Sequence, residues 1–492
     1  MKKWLLALLP IVLLAVSCSK SDPDSPKPTD KQSTACTLSS FQFSSASNPG
    51  LAGNANAVIA NIQRKNMVLV TVPESADLTR LVPTFSASSN SKVRIGSTEL
   101  VSGQTSVNLT DPAEITVTAE DGTHNSKYVV LVRKGDSTID RKVYSIMVEY
   151  DIPGIGIATT KNEKLAYHAG YGFANLDANP MVPTRSDMLF RLASMSKAQT
   201  ALCIMTLCEE GKLSVDDYVF APGTGVLADM YPATEAAPHG ERVDEIKIRH
   251  LLTHTSGWQY ATTGGVDPVF TGDSRFYGKS LKERVAYMVK TNTSTPPGTT
   301  ASYYNLGFCI LGQVIEKLSG VSYEEYLRSV VAKAGVHDMW VAKNTQAERR
   351  SNECVYYPQG TSTAYGNDMA VVGACGAVIA SPVELMQLLC AEDYGDVVPD
   401  ILTKESLDKI YTNYTSSGKA GYGFGWRIEH NTLSNWASYH GGNISGTATI
   451  WVRGKNRVNG VLLCNSRSQK DGFDTALYLA INEIMDEVNY KY

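Results

Sequence analysis

The sequence predicts two folded parts in tandem: an all-β sandwich over residues 36–135, then a mixed α/β (α+β) domain over 136–492. The second part reads as an antiparallel sheet flanked by helices, with a helical insertion. Three observations carry this. Short β-rich runs with Ser, Asn and Gly turns fill the first hundred folded residues. The pattern turns to mixed strands and helices from about Asp136. Two long helical patterns, 194–211 and 472–488, bracket the catalytic-looking motifs of the second part.

In the first part, MVLVTVP (67–73) alternates Met67, Leu69 and Thr71 against Val68, Val70 and Val72. ITVTA (115–119) and YVVLV (128–132) flank Asp121-Gly122, the spacing and residue type of a hairpin. The segment resembles the Ig-like domains that precede catalytic domains in many lipoproteins of gut-type Bacteroidetes. It shows no nucleophile constellation, so a spacer is the expected role rather than sugar binding. In the second part, GIGIATT (154–160) and KLAYHAGYG (164–172) read as a strand pair. ATIWV (448–452) and GVLLCN (460–465) read as late strands, and Leu477, Ile481, Ile484 and Val488 give the last helix an apolar stripe.

The N-terminus reads as an export signal. Lys2 and Lys3 precede an apolar run, Trp4 to Val16, too short for a typical spanning helix. The run ends Ala15-Val16-Ser17-Cys18, which resembles a bacterial lipobox with Cys18 as the lipidated residue. The expectation is a signal peptide over 1–18, a flexible tether over 19–35 and an exported lipoprotein anchored to the bacterial cell envelope at the outer membrane, periplasmic or surface-facing. A net charge of -4, with no long basic run, gives no reason to expect nucleic-acid binding. The nine cysteines form no CxxC, and most sit in apolar runs, so buried free thiols are expected.

Three segments carry chemistry. FRLASMSKAQTAL holds Ser194-Met195-Ser196-Lys197, which puts Ser194 and Lys197 one turn apart on one helix face, with Ser196 off that geometry. The amine can take part in deprotonating the serine, and the helix N-terminus favours negative charge on an attacked oxygen. PPGTTASYYNLG holds Tyr303-Tyr304-Asn305. In extended backbone Tyr303 and Asn305 face one way and Tyr304 the other, which makes Tyr303 a candidate proton shuttle. WASYHGGNISG holds His440-Gly441-Gly442 before a strand pair, where glycine permits close approach. The backbone N–H of Asn443, with that of Ser194, is a candidate oxyanion hole.

Two other patterns lead elsewhere. His250 and His254 in IRHLLTHTSGW have i,i+4 spacing but no glutamate between them and no third ligand, so no metal site is expected. Gly278-Lys279-Ser280 ends like a phosphate-binding loop, but its upstream glycine is misplaced. In the loop 259–295, Tyr260, Phe270, Phe276 and Tyr277 either shape an apolar acyl pocket or pack the loop down.

SxxK, Tyr-x-Asn and a late His-x-Gly, in that order, resemble the β-lactamase-related serine hydrolases: class C β-lactamases, penicillin-binding D,D-peptidases, D-aminopeptidases and family VIII esterases. HLLTHTSG, PGTTASYYN and GYGFGW (421–426) add to the resemblance, which covers about residues 140–490. It implies the serine β-lactamase/transpeptidase-like fold, with Ser194 as the acylated nucleophile and Lys197 and Tyr303 sharing the proton transfers. Asn305 would bind the acyl-side amide and Lys197, and Gly442 would match the glycine of the Lys-Thr-Gly motif. His440 stands where that motif has lysine, and a neutral imidazole binds carboxylate less strongly. The expectation is an esterase or amidase acting on a small-molecule or peptide acyl substrate without a cofactor. A D,D-peptidase or D-aminopeptidase is the alternative, and an inactive surface binding protein is the alternative of another class.

Overall fold

A computed structural model of the protein describes residues 31–415, 420–430 and 434–491. Cys18, the expected signal peptide and the tether as far as residue 30 lie outside them.

The strand-rich part holds β1 (Leu38–Phe43), β2 (Ala55–Asn56), β3 (Val58–Ile62), β4 (Lys65–Val72), β5 (Pro83–Ala87), β6 (Lys92–Ile95), β7 (Thr98–Glu99), β8 (Ala113–Thr118) and β9 (Asn125–Lys134). A sheet ordered β2-β1-β5 packs on one ordered β3-β4-β9-β8-β6-β7. Phe41 and Phe43 on one side meet Val68, Val70 and Val130 on the other. β8 and β9 are antiparallel, and their turn uses Gly122 at φ +72°, where a side chain would be strained.

The alternation in β4 has a second consequence. Val68, Val70 and Val72 fill the sandwich, while Met67 and Leu69 on the opposite face join the core beneath the second domain. Both faces of this strand are therefore dry. α1 (Ser137–Tyr150), capped by the Asp136 side chain, lies across it and contributes Ile139, Val143 and Met147. At the centre of this seam the buried Asp140 carboxylate accepts from Thr71 at 2.6 Å, Arg133 at 2.5 Å and Tyr171 at 2.7 Å. A buried charge persists only when its acceptor capacity is filled in this way.

The second part contains β10 (Gly154–Lys161), β11 (Lys164–Asn175) and β12 (Val182–Pro183). A small sheet of β13 (Phe190–Arg191), β14 (Trp340–Val341) and β15 (Val378–Ala380) follows. The late strands are β16 (Ala420–Tyr422), β17 (Arg427–Glu429), β18 (Trp436–Ile444), β19 (Thr447–Gly454) and β20 (Val458–Cys464). The main sheet is ordered β12-β11-β10-β20-β19-β18-β17-β16, with antiparallel neighbours throughout.

Between the early and late strands come α2 (Ser196–Glu209), α3 (Ile248–Leu252), α4 (Leu281–Met288), α5 (Asn305–Ser319), α6 (Tyr323–Val331), α7 (Met369–Gly376), α8 (Pro382–Cys390) and α9 (Lys404–Tyr411). α10 (Phe473–Lys491) closes the chain. α1 and α10 cover one face of the sheet and α8 the other, so every residue of β20 is buried. The described cysteines form no disulfide, and six of the eight are buried.

Candidate active site

Ser194 lies in a single turn (Ala193–Met195) that runs directly into α2. Ala193 before it sits at φ +49°, a left-handed conformation that disfavours a residue with a Cβ by about 1 kcal/mol. The sequence's off-geometry Ser196 holds this turn. Its hydroxyl donates to Ala193 O at 2.7 Å and accepts from the Val378 N–H at 3.1 Å.

Lys197 is fully buried. Its Nζ donates to Ser194 Oγ at 3.2 Å, Asn305 Oδ1 at 2.9 Å and Cys375 O at 2.7 Å. The Cys375 carbonyl lies just beyond a break in α7 at Gly373, whose φ of +30° is disallowed to most residues. Burial pushes the Lys197 pKa down, but the Tyr303 phenol and Cys375 outweigh it, so the ammonium is held above its ordinary range. An ammonium has three N–H donors, and here each has an acceptor.

Tyr304, extended at φ -142°, turns inward at the start of α5, while Tyr303 and Asn305 face the cleft. The Lys197 Nζ lies 4.8 Å from the Tyr303 ring centre, and the Tyr303 hydroxyl is buried with no hydrogen-bond partner among the described residues. His254 sets the ring: its centroid lies 4.2 Å from that of Tyr303, and its Nδ1 accepts from the Tyr304 N–H at 3.1 Å. His250 caps α3 through the Lys247 N–H, and Ser280 caps α4.

His440 on β18 is buried between Tyr422 and its own strand. Its Nδ1–H donates to Gly441 O at 2.7 Å and its Nε2 accepts from Tyr422 Oη at 3.0 Å. Burial, with Arg427 and Lys197 nearby, holds its pKa well below the ordinary histidine range, so it is neutral. β17 pairs β18 only at Ser438 and Tyr439, leaving the edge from His440 to Asn443 open. Gly442 is obligatory, because a Cβ there would stand 2.2 Å from Leu192 O, one residue from the Ser194 turn.

Ser194, Tyr303, Asn305, His440, Gly442 and Asn443 line one cavity of about 310 Å³. The structure thus brings together every predicted cleft residue, with Lys197 in contact beneath. A larger cavity of about 530 Å³ lies at the domain seam and contains none of them. Sequence reading missed two residues. Arg427 lines this cavity one position past GYGFGW, where reading on through the motif would have found it. Asp267, from the loop after α3, accepts from Asn305 Nδ2 at 2.7 Å, and nothing in its local sequence marks it. None of the four loop aromatics lines this cavity: Phe276 is buried in the core, Tyr260 and Phe270 pack against it, and Tyr277 is 69% exposed.

A family model described as Beta-lactamase matches residues 139–483. The chain belongs to the beta-lactamase family. A second model, described as SGBP, N-terminal, matches residues 50–132 of the strand-rich part. Penicillin-binding protein 4* of Bacillus subtilis is 23% identical over 348 residues, covering 65% of this chain and 70% of that protein. Esterase EstB of Burkholderia gladioli is 30% identical over 190 residues, covering 38% of this chain and 46% of the esterase. The fold is also that of a class C beta-lactamase, at TM-score 0.58 and 20% identity, covering 71% of this chain and 95% of the other. This beta-lactamase family member therefore has the serine β-lactamase/transpeptidase-like fold expected from its motifs.

Proposed function

We propose that the protein is a serine hydrolase that cleaves an ester or amide through an acyl-enzyme on Ser194. The observation that carries this is the contact set of Lys197, a buried ammonium whose three acceptors include Ser194 Oγ. A lysine so engaged is a cation and not a free base, so the proton of Ser194 goes to Tyr303, whose hydroxyl is unpartnered beside the cavity. As the Ser194 Oγ bonds to the substrate carbonyl, the Tyr303 oxygen takes the serine proton while its own hydroxyl proton passes to the leaving oxygen or nitrogen, so that Tyr303 is a neutral phenol before and after. Water then repeats the exchange and frees the acid. Lys197 stabilises the negative charge that builds on the Ser194 oxygen as its proton leaves. The open edge of β18 at Asn443 and the N–H of Ser194 are the groups that meet the oxyanion. Cys18 would tether the enzyme to the cell envelope.

Neutral His440 supports an esterase or amidase. Arg427 favours a second reading within the same chemistry, since it returns to the cavity the fixed positive charge that His440 lacks. A peptide carboxylate fits that charge, and release of terminal D-Ala from a muropeptide is the assay that would select the peptidase.

The test of the nucleophile is the intact mass after incubation with a fluorophosphonate, alongside hydrolysis of an aryl acetate. One adduct is expected on the wild type and none on Ser194→Ala, with kcat/KM of the variant lower by roughly 10³-fold or more. A wild type that stays unlabelled, or a Ser194→Ala variant that hydrolyses as fast, would overturn the reading.

A further inference from the structure

We infer that Asp267 is a positioning residue that dictates which end of the Asn305 side chain faces Lys197, and thereby withdraws the Asn305 NH2 group from the substrate. The inference rests on the hydrolase reading above and sharpens its substrate class.

An asparagine amide is nearly symmetric in shape but opposite in chemistry at its two ends, so only its neighbours decide its orientation. Asn305 is 8% exposed and sits between two neighbours of fixed and opposite demand. The Lys197 ammonium only donates, and it stands 2.9 Å from Oδ1. The Asp267 carboxylate only accepts, and its Oδ2 stands 2.7 Å from Nδ2. Turning the amide over would set NH2 against ammonium and C=O against carboxylate, two repulsions in place of two charge-assisted bonds.

Asp267 is itself held. Its Oδ1 accepts from the Val269 N–H at 2.9 Å and its Oδ2 from Tyr260 Oη at 3.2 Å. Arg284 of α4, 4% exposed, donates to Pro268 O at 2.6 Å and to Val269 O at 3.1 Å, which pins the peptide beside it. The loop between α3 and α4 is thus a bracket for the Lys197–Asn305 pair. The same bracket occupies the amide donors: Nδ2 gives to Asp267 and, at 3.4 Å, to Tyr260 Oη. In the resemblance, Asn305 would bind the amide of an acylamino substrate. Here that donor is engaged, so the site takes simple acyl groups in preference to acylamino ones.

The experiment is a charge swap. Asp267→Asn, Asn305→Asp and the double variant are compared by the rate of fluorophosphonate labelling of Ser194 from pH 6 to 11. Asp267→Asn is expected to label roughly 10- to 100-fold slower, because a misplaced partner near the reacting atoms has effects of that order. The alkaline limb of its profile moves to lower pH, because the Lys197 ammonium has lost a nearby negative charge. Asn305→Asp sets two carboxylates together and labels more slowly still. The double variant returns an acceptor to Lys197 and a donor to its neighbour, and recovers about tenfold or more over Asn305→Asp.

Wild-type rate and pH profile in Asp267→Asn, or a double variant no faster than Asn305→Asp, overturns the inference. An unlabelled wild type defeats the hydrolase reading instead. The same four proteins then test the bracket by thermal unfolding, where additive effects of the two substitutions overturn it. For the substrate class, 4-nitrophenyl butyrate is expected to be cleaved at least as fast as 4-nitrophenyl N-acetylglycinate. A tenfold preference for the latter overturns that part.

Discussion

The floor of the cleft around Lys197 and the carboxyl group of Glu392 are equally far from water, yet they resolve burial in opposite ways. Lys197 keeps its charge because three acceptors converge on it. Glu392, 2% exposed at the end of α8, keeps its proton instead. Burial, then the Asp400 and Asp393 carboxylates, push its pKa up to about 8. Asp400 is pushed up to about 6 by burial and by Asp393. Glu163 of the β10–β11 turn joins this group, its oxygens accepting from the Val397 and Val398 N–H groups. A buried ionisable group is either partnered or neutral, because transfer of an unpaired charge from water is prohibitive. The partnered one stands in the candidate active site, where a fixed charge is useful. The neutral one stands where the chain merely folds over itself.

The largest effect comes from breaking the partnered side. Lys197→Met leaves Ser194, Asn305 and Cys375 without a donor. It is expected to lower kcat/KM on an aryl acetate by roughly 10³-fold or more, while circular dichroism reports a folded protein. A loss under tenfold would mean that the ammonium is structural only.

The neutral side responds to pH. An unfolded glutamate titrates near 4.5, whereas in the fold it does so near 8. Between those values the unfolded chain has released a proton that the folded chain retains, so stability falls as pH rises through the window. Glu392→Gln removes that loss. It is expected to stabilise near pH 8.5 by at most about 5 kcal/mol, at about 1.4 kcal/mol per unit of displacement, and to change little near pH 4. Denaturant unfolding at the two pH values reads this, and an equal gain at both would attribute it to packing instead. The smallest effect sharpens the contrast from outside. Lys404 and Asp408 pair at 2.8 Å on exposed α9, with side chains 77% and 52% accessible. Lys404→Ala is expected to shift stability by less than about 0.5 kcal/mol.

Much of this was legible in the sequence, for a reason specific to each part. Ser194 and Lys197 share a helix, and Tyr303 and Asn305 share a three-residue step, so local geometry alone places each pair. Gly442 was marked by its neighbours His440 and Gly441. The bracket was not legible. Asp267 reaches Asn305 across 38 residues, through a loop whose path only Arg284 and the folded chain define. Glu163 meets Val397 across 234 residues for the same reason. The alternation in β4 gave the sandwich-facing valines. The apolar Met67 and Leu69 opposite them were the sign of a second covered face, which alternation by itself does not interpret.

That doubly covered strand has a mechanical consequence. Met67 and Leu69 belong to the core that α1, α10 and the main sheet complete, and Asp140 is tied by Thr71 and Arg133 across the same seam. The strand-rich part is therefore a plinth and not a pendulum. Whatever holds it also fixes the attitude of the second domain, and that domain cut free at residue 136 would carry away an unfinished wall.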